Sequence, residues 1–497
     1  MSSADQVDGK LPVGAPAPST LRRSLTTREA VAVSIGLMAP SVAMNINPQA
    51  AAGIVGRAVP LVFALATVGV LLVAYCFIRL SQHFNHAGSV YGFIGVTLGP
   101  RAGVVAGWAL LTTYVAYGAC TVTEAGLFPA DFLKASGIWS GASWEVVTVA
   151  AAVLVVLLAW APARNTTRAL LGLEGVTIAL ITIVAVVIAV RLISGNAPQD
   201  QDFTLSVFSL PHGVGTSALF FAMTFGFLSF AGFEAASTLG EETKGDPRRA
   251  IPKVLLGSVL FAGVFYTVIS AITTMGFGAS KAGTDRFTAS SSLLGDLGTT
   301  YIGSVVGQLV SLGAGISGFG CALACVVGAS RLLYAMTRDA FPNSRIGRST
   351  GQDGRITGSI AVVAAAAFVA VAALRMFSTS EPLDIIFWTA TIGTLSLLVA
   401  YVLVTAGALK FLFFSGVRRV ARWEIVVPLG AFATLGYTLY KSVYPVPAEP
   451  YNLFPYIVGG WLLLVFGVVL INRKLANKIH RRLLSEAGLT SREEPVK

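Results

Sequence analysis

Between residues 30 and 472 the chain returns repeatedly to uninterrupted apolar runs, with no long polar block between them. That feature excludes most folds at once. A hydrocarbon core about 30 Å thick takes roughly 20 residues of α-helix to cross. An open strand or loop cannot cross it, because its N–H and C=O groups would find no partners there. A transmembrane barrel would show short alternating segments, whereas these runs are continuous. The chain therefore reads as an all-α membrane protein with twelve transmembrane helices. They are expected at 30–54, 60–80, 100–128, 146–162, 170–193, 214–241, 252–277, 301–336, 357–376, 384–410, 424–442 and 454–472. Composition agrees: 12% of residues are charged, against roughly 25% in soluble domains.

The net charge of +11 would suit a nucleic-acid surface on a soluble protein. Here it has a topological reading, and no nucleic-acid partner is expected. Twelve spans put both termini on one side. If that side is cytoplasmic, all but seven of the 35 Lys and Arg face inward, the seven being Arg57, Lys134, Arg191, Lys281, Arg286, Arg375 and Lys441. Such a bias is the positive-inside rule. Residues 1–29 are polar, carry Pro12, Pro16 and Pro18, and lack the apolar core of a signal peptide. They read as a disordered cytoplasmic tail. The basic tail 473–497, with Arg473, Lys474, Lys478, Arg481 and Arg482, is expected to rest on the inner face of the cell membrane and its lipid.

Cys76, Cys120, Cys321 and Cys325 all fall inside apolar spans, where no extracellular disulfide would form. His83, His86, His212 and His480 sit in loops or at span ends. No zinc or haem constellation is visible, so neither a metal nor a cofactor is expected. An enzyme would need a nucleophile–base pair or metal ligands within the spans, and none is apparent.

Two spans are not ordinary. The first contains Ala39-Pro40-Ser41-Val42-Ala43, with Gly36, Asn45 and Asn47 around it. Pro40 cannot donate a hydrogen bond and clashes with the preceding turn. The sixth reads Phe230-Ala231-Gly232-Phe233-Glu234 and carries an ionisable group inside the membrane, where such groups default to function. Pro40 and Gly232 can each kink a helix for packing alone. Interrupted spans five apart, however, point to an inverted-repeat transporter. The expected organisation is a first repeat at 30–193, a second at 214–410, and two extra helices within 424–472. Exposed N–H groups at one break attract an anion and freed carbonyls attract a cation, a pair of contacts that suits an amino acid.

These residues resemble the amino acid–polyamine–organocation family of secondary transporters. The match runs from Phe230-Ala231-Gly232-Phe233-Glu234 through Glu241-Glu242 to Pro247-Arg248-Arg249-Ala250-Ile251-Pro252. Ala87-Gly88-Ser89-Val90-Tyr91, Gly99-Pro100, Gly107-Trp108 and Arg331-Leu332-Leu333-Tyr334 to Phe341-Pro342 agree in the same order. Many members have a Gly-Ser-Gly or Gly-Thr-Gly triplet at the first break, and this chain departs from it. The resemblance implies a five-plus-five fold with discontinuous helices 1 and 6, and alternating access without ATP. It also implies a substrate carboxylate at the N–H groups of Ser41, Val42 and Ala43, and an ammonium at the carbonyls of Phe230, Ala231 and Gly232. Ala39 and Pro40 would shape the pocket floor, and Phe233 or Tyr117 would cover the ligand.

Three intramembrane acids carry open alternatives. Glu234 is either a proton-responsive group, since desolvation favours the neutral carboxyl, or a clasp that accepts N–H bonds in the unwound segment. Glu174 is a second proton site or a buried polar contact between helices; Thr177 with Ser317 is a further cation option. Glu124 is expected to reach the outer interface, with a place in an outer vestibule as the alternative. Glu241 and Glu242 with Arg248, Arg331 and Arg338 are expected to form an inner gate, against the alternative of a solvated loop. Cationic-substrate members often carry a Glu where this chain has Thr113, so an uncharged amino acid is the first expectation and a small amine or polyamine the second. The coupling partner is a proton or a counter-substrate. A transporter-like nutrient sensor is the remaining rival.

Overall fold

The computed structural model describes residues 26–84, 89–160, 163–198, 201–241, 246–348, 356–377, 381–416 and 419–486. Seventeen α-helices and no strand occur among them. In order they are α1 Thr27–Met38, α2 Pro40–Val55, α3 Val59–Ser81, α4 Val90–Thr97, α5 Pro100–Ala135, α6 Trp144–Trp160, α7 Ala163–Ile193, α8 Thr216–Phe230 and α9 Pro247–Phe277. Then follow α10 Lys281–Ala289, α11 Leu293–Tyr301, α12 Ser304–Ala340, α13 Thr357–Phe377, α14 Pro382–Phe413, α15 Val426–Lys441, α16 Phe454–Ile471 and α17 Arg473–Glu486.

Helix starts follow local chemistry. Pro40, Pro60, Pro100, Pro247, Pro382 and Pro455 each stand in the first turn of a helix, where a missing N–H costs nothing. Thr26 opens α1 through a reciprocal cap: it donates its N–H to Glu29 at 2.9 Å and accepts the Glu29 N–H at 3.3 Å.

Eight stretches are long and apolar enough to cross a membrane: Glu29–Ser81, Pro100–Ala135, Leu171–Ile193, Pro247–Phe277, Ser304–Ala340, Thr357–Met376, Pro382–Phe413 and Phe454–Ile471. α6 and α8 are apolar but shorter. The chain is a multi-pass membrane protein. Its helices divide by what surrounds them. α5, α12 and α14 bury most of their length, while α6 buries only Thr148 and Val155 and turns Val146, Val149, Val153, Leu154 and Leu157 outward. An apolar face left open on a helix of this kind is a lipid face.

Glycine lets the inner helices approach closely. A Cβ at Gly318 of α12 would lie 3.2 Å from the Glu124 Cβ of α5, and one at Gly393 of α14 would lie 2.6 Å from the Tyr117 ring. Small residues at such contacts are the usual device of helix packing in lipid.

Two segments outside the long apolar runs hold structure that the apolar pattern does not announce. The segment between α9 and α12 folds as α10 and α11, and Asn45 of α2 accepts the Leu294 N–H at 2.8 Å to cap α11. The basic tail is helical over α17, with Ala476, Ile479 and Leu483 buried. Lys478 bonds the Ala340 carbonyl at 3.0 Å, and Arg482 bonds that of Arg338, so cations close the C-terminal end of α12. The expected disordered tail lies, over residues 1–25, outside the described residues, as do 487–497 and Ala87-Gly88.

Candidate functional site

The two broken helices stand side by side. α2 packs along α8, while α1 packs along a 3-10 segment, Phe233–Glu241, that continues the sixth span. Asn47 donates to the Ser229 hydroxyl at 2.8 Å on one side of the breaks, and Ser34 to the Phe233 carbonyl at 3.3 Å on the other.

The first break falls at Ala39, one residue before Pro40. Ala39 is left-handed (φ 45°, ψ 59°) and Pro40 starts the new helix. A helix start leaves its first N–H groups without partners. Pro40 has none to offer. The Ser41 N–H goes to Glu174 Oε1 of α7 at 3.1 Å and the Val42 N–H to Ser317 Oγ of α12 at 3.3 Å. The Ser41 hydroxyl meets that of Thr177 at 2.7 Å. The Ala43 N–H returns to the Ala39 carbonyl at 3.0 Å. At the end of α1, the Leu37 carbonyl accepts the Cys321 thiol at 3.1 Å and the Met38 carbonyl accepts the Tyr266 hydroxyl at 3.4 Å. Residues 39–43 are all buried.

The second break is built by Gly232, whose φ of 108° is closed to other residues at low cost. A Cβ there would also come within 3.0 Å of the Leu37 backbone. Phe230 is fully buried with its ring edge-on to Tyr266 at 5.1 Å, Ala231 is buried, and Phe233 packs against Tyr401 at 5.7 Å. Glu234, wholly buried, accepts three hydrogen bonds: Tyr114 of α5 at 3.0 Å, Tyr401 of α14 at 2.9 Å and the Gly232 N–H at 3.0 Å.

The remaining expected site residues scatter. Tyr117 turns to α14, its hydroxyl 3.0 Å from that of Thr394. Glu124 does not reach an interface: it is 3% exposed, because the glycines of α12 bring that helix over it. In the expected inner gate, Arg248 is exposed and its N–H bonds Asp246 Oδ1 at 3.0 Å. Arg338 pairs with buried Asp339 at 3.3 Å, which also accepts the Tyr91 hydroxyl at 3.1 Å. Arg331 is half-buried on α12. Glu241 closes the 3-10 segment, and Glu242 lies outside the described residues.

Sequence reasoning missed Tyr114, Tyr401 and Tyr266. Their one signal was a phenol in an apolar span, which must find a partner when buried. The four cysteines are buried and free.

Helices that are broken next to each other inside an apolar bundle define a membrane protein with backbone polar groups gathered at its centre. The chain belongs to the amino acid permease family, whose model matches residues 30–420. It is 26% identical over 390 residues to a branched-chain amino acid permease of Lactococcus lactis subsp. cremoris, covering 75% of this chain and 81% of that one. It is 24% identical over 367 residues to a low-affinity putrescine importer of Escherichia coli K12, covering 69% and 75%. A methylthioribose transporter of Bacillus subtilis is 25% identical over 334 residues, covering 64% and 68%.

Proposed function

We propose that the chain is a secondary transporter that moves an amino acid or a related amine across the cell membrane by alternating access. The observation that carries this reading is the adjacency of two broken helices inside an apolar bundle, in a member of the amino acid permease family. Twelve membrane crossings follow if α1–α2 and α8 with its 3-10 segment each count as one span. The first ten form two inverted repeats, 30–193 and 214–410. Both termini lie in the cytoplasm, which the distribution of Lys and Arg supports.

Substrate sits where residues 39–43 face 230–233, with Tyr117 within the surrounding wall. Glu234 links three helices at this point, so its protonation would loosen α5, α14 and the 3-10 segment together. That supports a conformational switch driven by proton symport, or by exchange with a counter-substrate. Glu174 of α7, which accepts the Ser41 N–H at the start of α2, is the second candidate for proton coupling. The inner gate would comprise Glu241, Glu242, Arg248, Arg331 and Arg338. Names among the relatives include both an amino acid permease and a putrescine importer, which supports the solute class and leaves the choice within it to the site.

The test is uptake of labelled amino acids and amines by the purified protein in proteoliposomes, with an imposed proton gradient or a preloaded counter-substrate. Saturable, protein-dependent uptake is expected. If no member of either class is taken up or exchanged, the reading fails.

A further inference from the structure

Buried charge at the centre of the molecule has one sign. Among the described residues Glu124, Glu174, Glu234, Asp339 and Glu424 are buried, and no Lys or Arg is. Asp339 meets Arg338, and Glu424 meets Arg79, both at helix ends. Glu124, Glu174 and Glu234 have no cation beside them among the described residues.

These three acids are not equivalent. Both oxygens of Glu234 have donors, three in all. Glu174 occupies the Ser41 N–H at the start of α2, the place where helix geometry attracts an anion. The next N–H, of Val42, is held by Ser317. A ligand carboxylate arriving there would find its donors taken and a like charge beside them. Glu124 is the opposite case. One oxygen meets only the Cys120 thiol, at 3.7 Å, and the other has no hydrogen-bond partner. It stands across the α5–α12 contact from Gly318, the residue after Ser317, while Cys321 on the same helix bonds the Leu37 carbonyl. The unsatisfied carboxyl thus lies one helix contact away from the capped break. A buried carboxyl oxygen without a partner is costly, and an ammonium ion offsets that cost where a second carboxylate would raise it.

We propose that Glu174 is a built-in replacement for a substrate carboxylate, so that the site selects an organic ammonium ion carrying no carboxylate of its own, with Glu124 accepting the ammonium. This rests on the transporter reading and narrows it from amino acids to amines.

Matched pairs test it. Leucine and 3-methylbutylamine share a side chain and differ by the carboxylate, as do ornithine and putrescine. Full-length protein in proteoliposomes is expected to take up the amine of each pair and to be inhibited by it, with the amino acid at least about tenfold weaker, the factor that about 1.4 kcal/mol represents. Glu174→Gln keeps an acceptor for the Ser41 N–H and removes the charge, so it should narrow that ratio by about tenfold in favour of the amino acid. Glu124→Gln should weaken amine binding by about tenfold, as loss of a charged hydrogen-bond partner does. Preferential uptake of the amino acids by the unaltered protein would overturn this inference and leave the transporter reading standing. Uptake of neither class would remove both. An unaltered ratio in a folded Glu174→Gln variant would remove Glu174 from the account, and unaltered amine affinity in Glu124→Gln would remove Glu124. The comparison in the unaltered protein decides the substrate class even where a variant fails to fold.

Discussion

The two breaks do the same job by opposite means. At the first, a proline starts a new helix after one left-handed alanine, and the loose N–H groups are capped from α7 and α12, more than 100 residues away in the chain. At the second, the chain caps itself: Gly232 supplies the turn, and Glu234, two residues on, reaches back to the Gly232 N–H. A cap borrowed from another helix depends on where that helix stands. A cap two residues away travels with the segment. The first break is therefore held from outside its own segment and the second from within it.

If that contrast holds, damage to the second break should cost more stability than damage to the first. Glu234→Ala strands two phenols and an N–H inside the bundle and should cost the most, about 3–4 kcal/mol. Thermal unfolding of the detergent-solubilised protein reads this directly, and a midpoint close to the unaltered one would mean that Glu234 clasps nothing. Gly232→Ala follows at about 2–3 kcal/mol, from its backbone angle and from contact with Leu37. Ser317→Ala removes one borrowed cap and should cost about 1 kcal/mol; a loss as large as that of Glu234→Ala would erase the distinction between the two breaks. Ala39→Gly relieves a left-handed alanine and should shift stability by less than about 1 kcal/mol, in the stabilising direction. Clear destabilisation by this change would show that Ala39 packs in a way its backbone does not explain.

The same contrast decides what could be read in the sequence. Helix positions are legible wherever apolar runs decide them: the pattern predicts 60–80 and α3 spans Val59–Ser81, and it predicts 357–376 where α13 spans Thr357–Phe377. The breaks were legible because Pro40 and Gly232 act on their own backbone, though a proline at a helix start moves the first break back to Ala39. A local partner is close at hand in the sequence: the Gly232 N–H that Glu234 accepts is two residues away. Partners set by packing are not. Nothing at Ser41 announces Glu174, 133 positions away, and nothing at Glu124 announces that Gly318 will cover it. α10 and α11 were also missed, since short half-buried helices outside the apolar runs carry no long periodicity. In the sequence α17 looks like a tail, because its charges outweigh the three apolar residues it buries.

Counterflow uptake by the reconstituted protein tests the central claim most directly when run in three forms: unaltered, Glu174→Gln, and Arg375→Ala. Arg375 of α13 pairs with Glu145 of α6 at 3.4 Å, and both side chains are exposed. The unaltered protein and Arg375→Ala should show the same saturable uptake and the same preference among amines and amino acids, while Glu174→Gln should change the preference. A Glu174→Gln profile indistinguishable from that of Arg375→Ala would remove Glu174 from the site, and absence of saturable uptake of any amine or amino acid would contradict a substrate site at the broken helices.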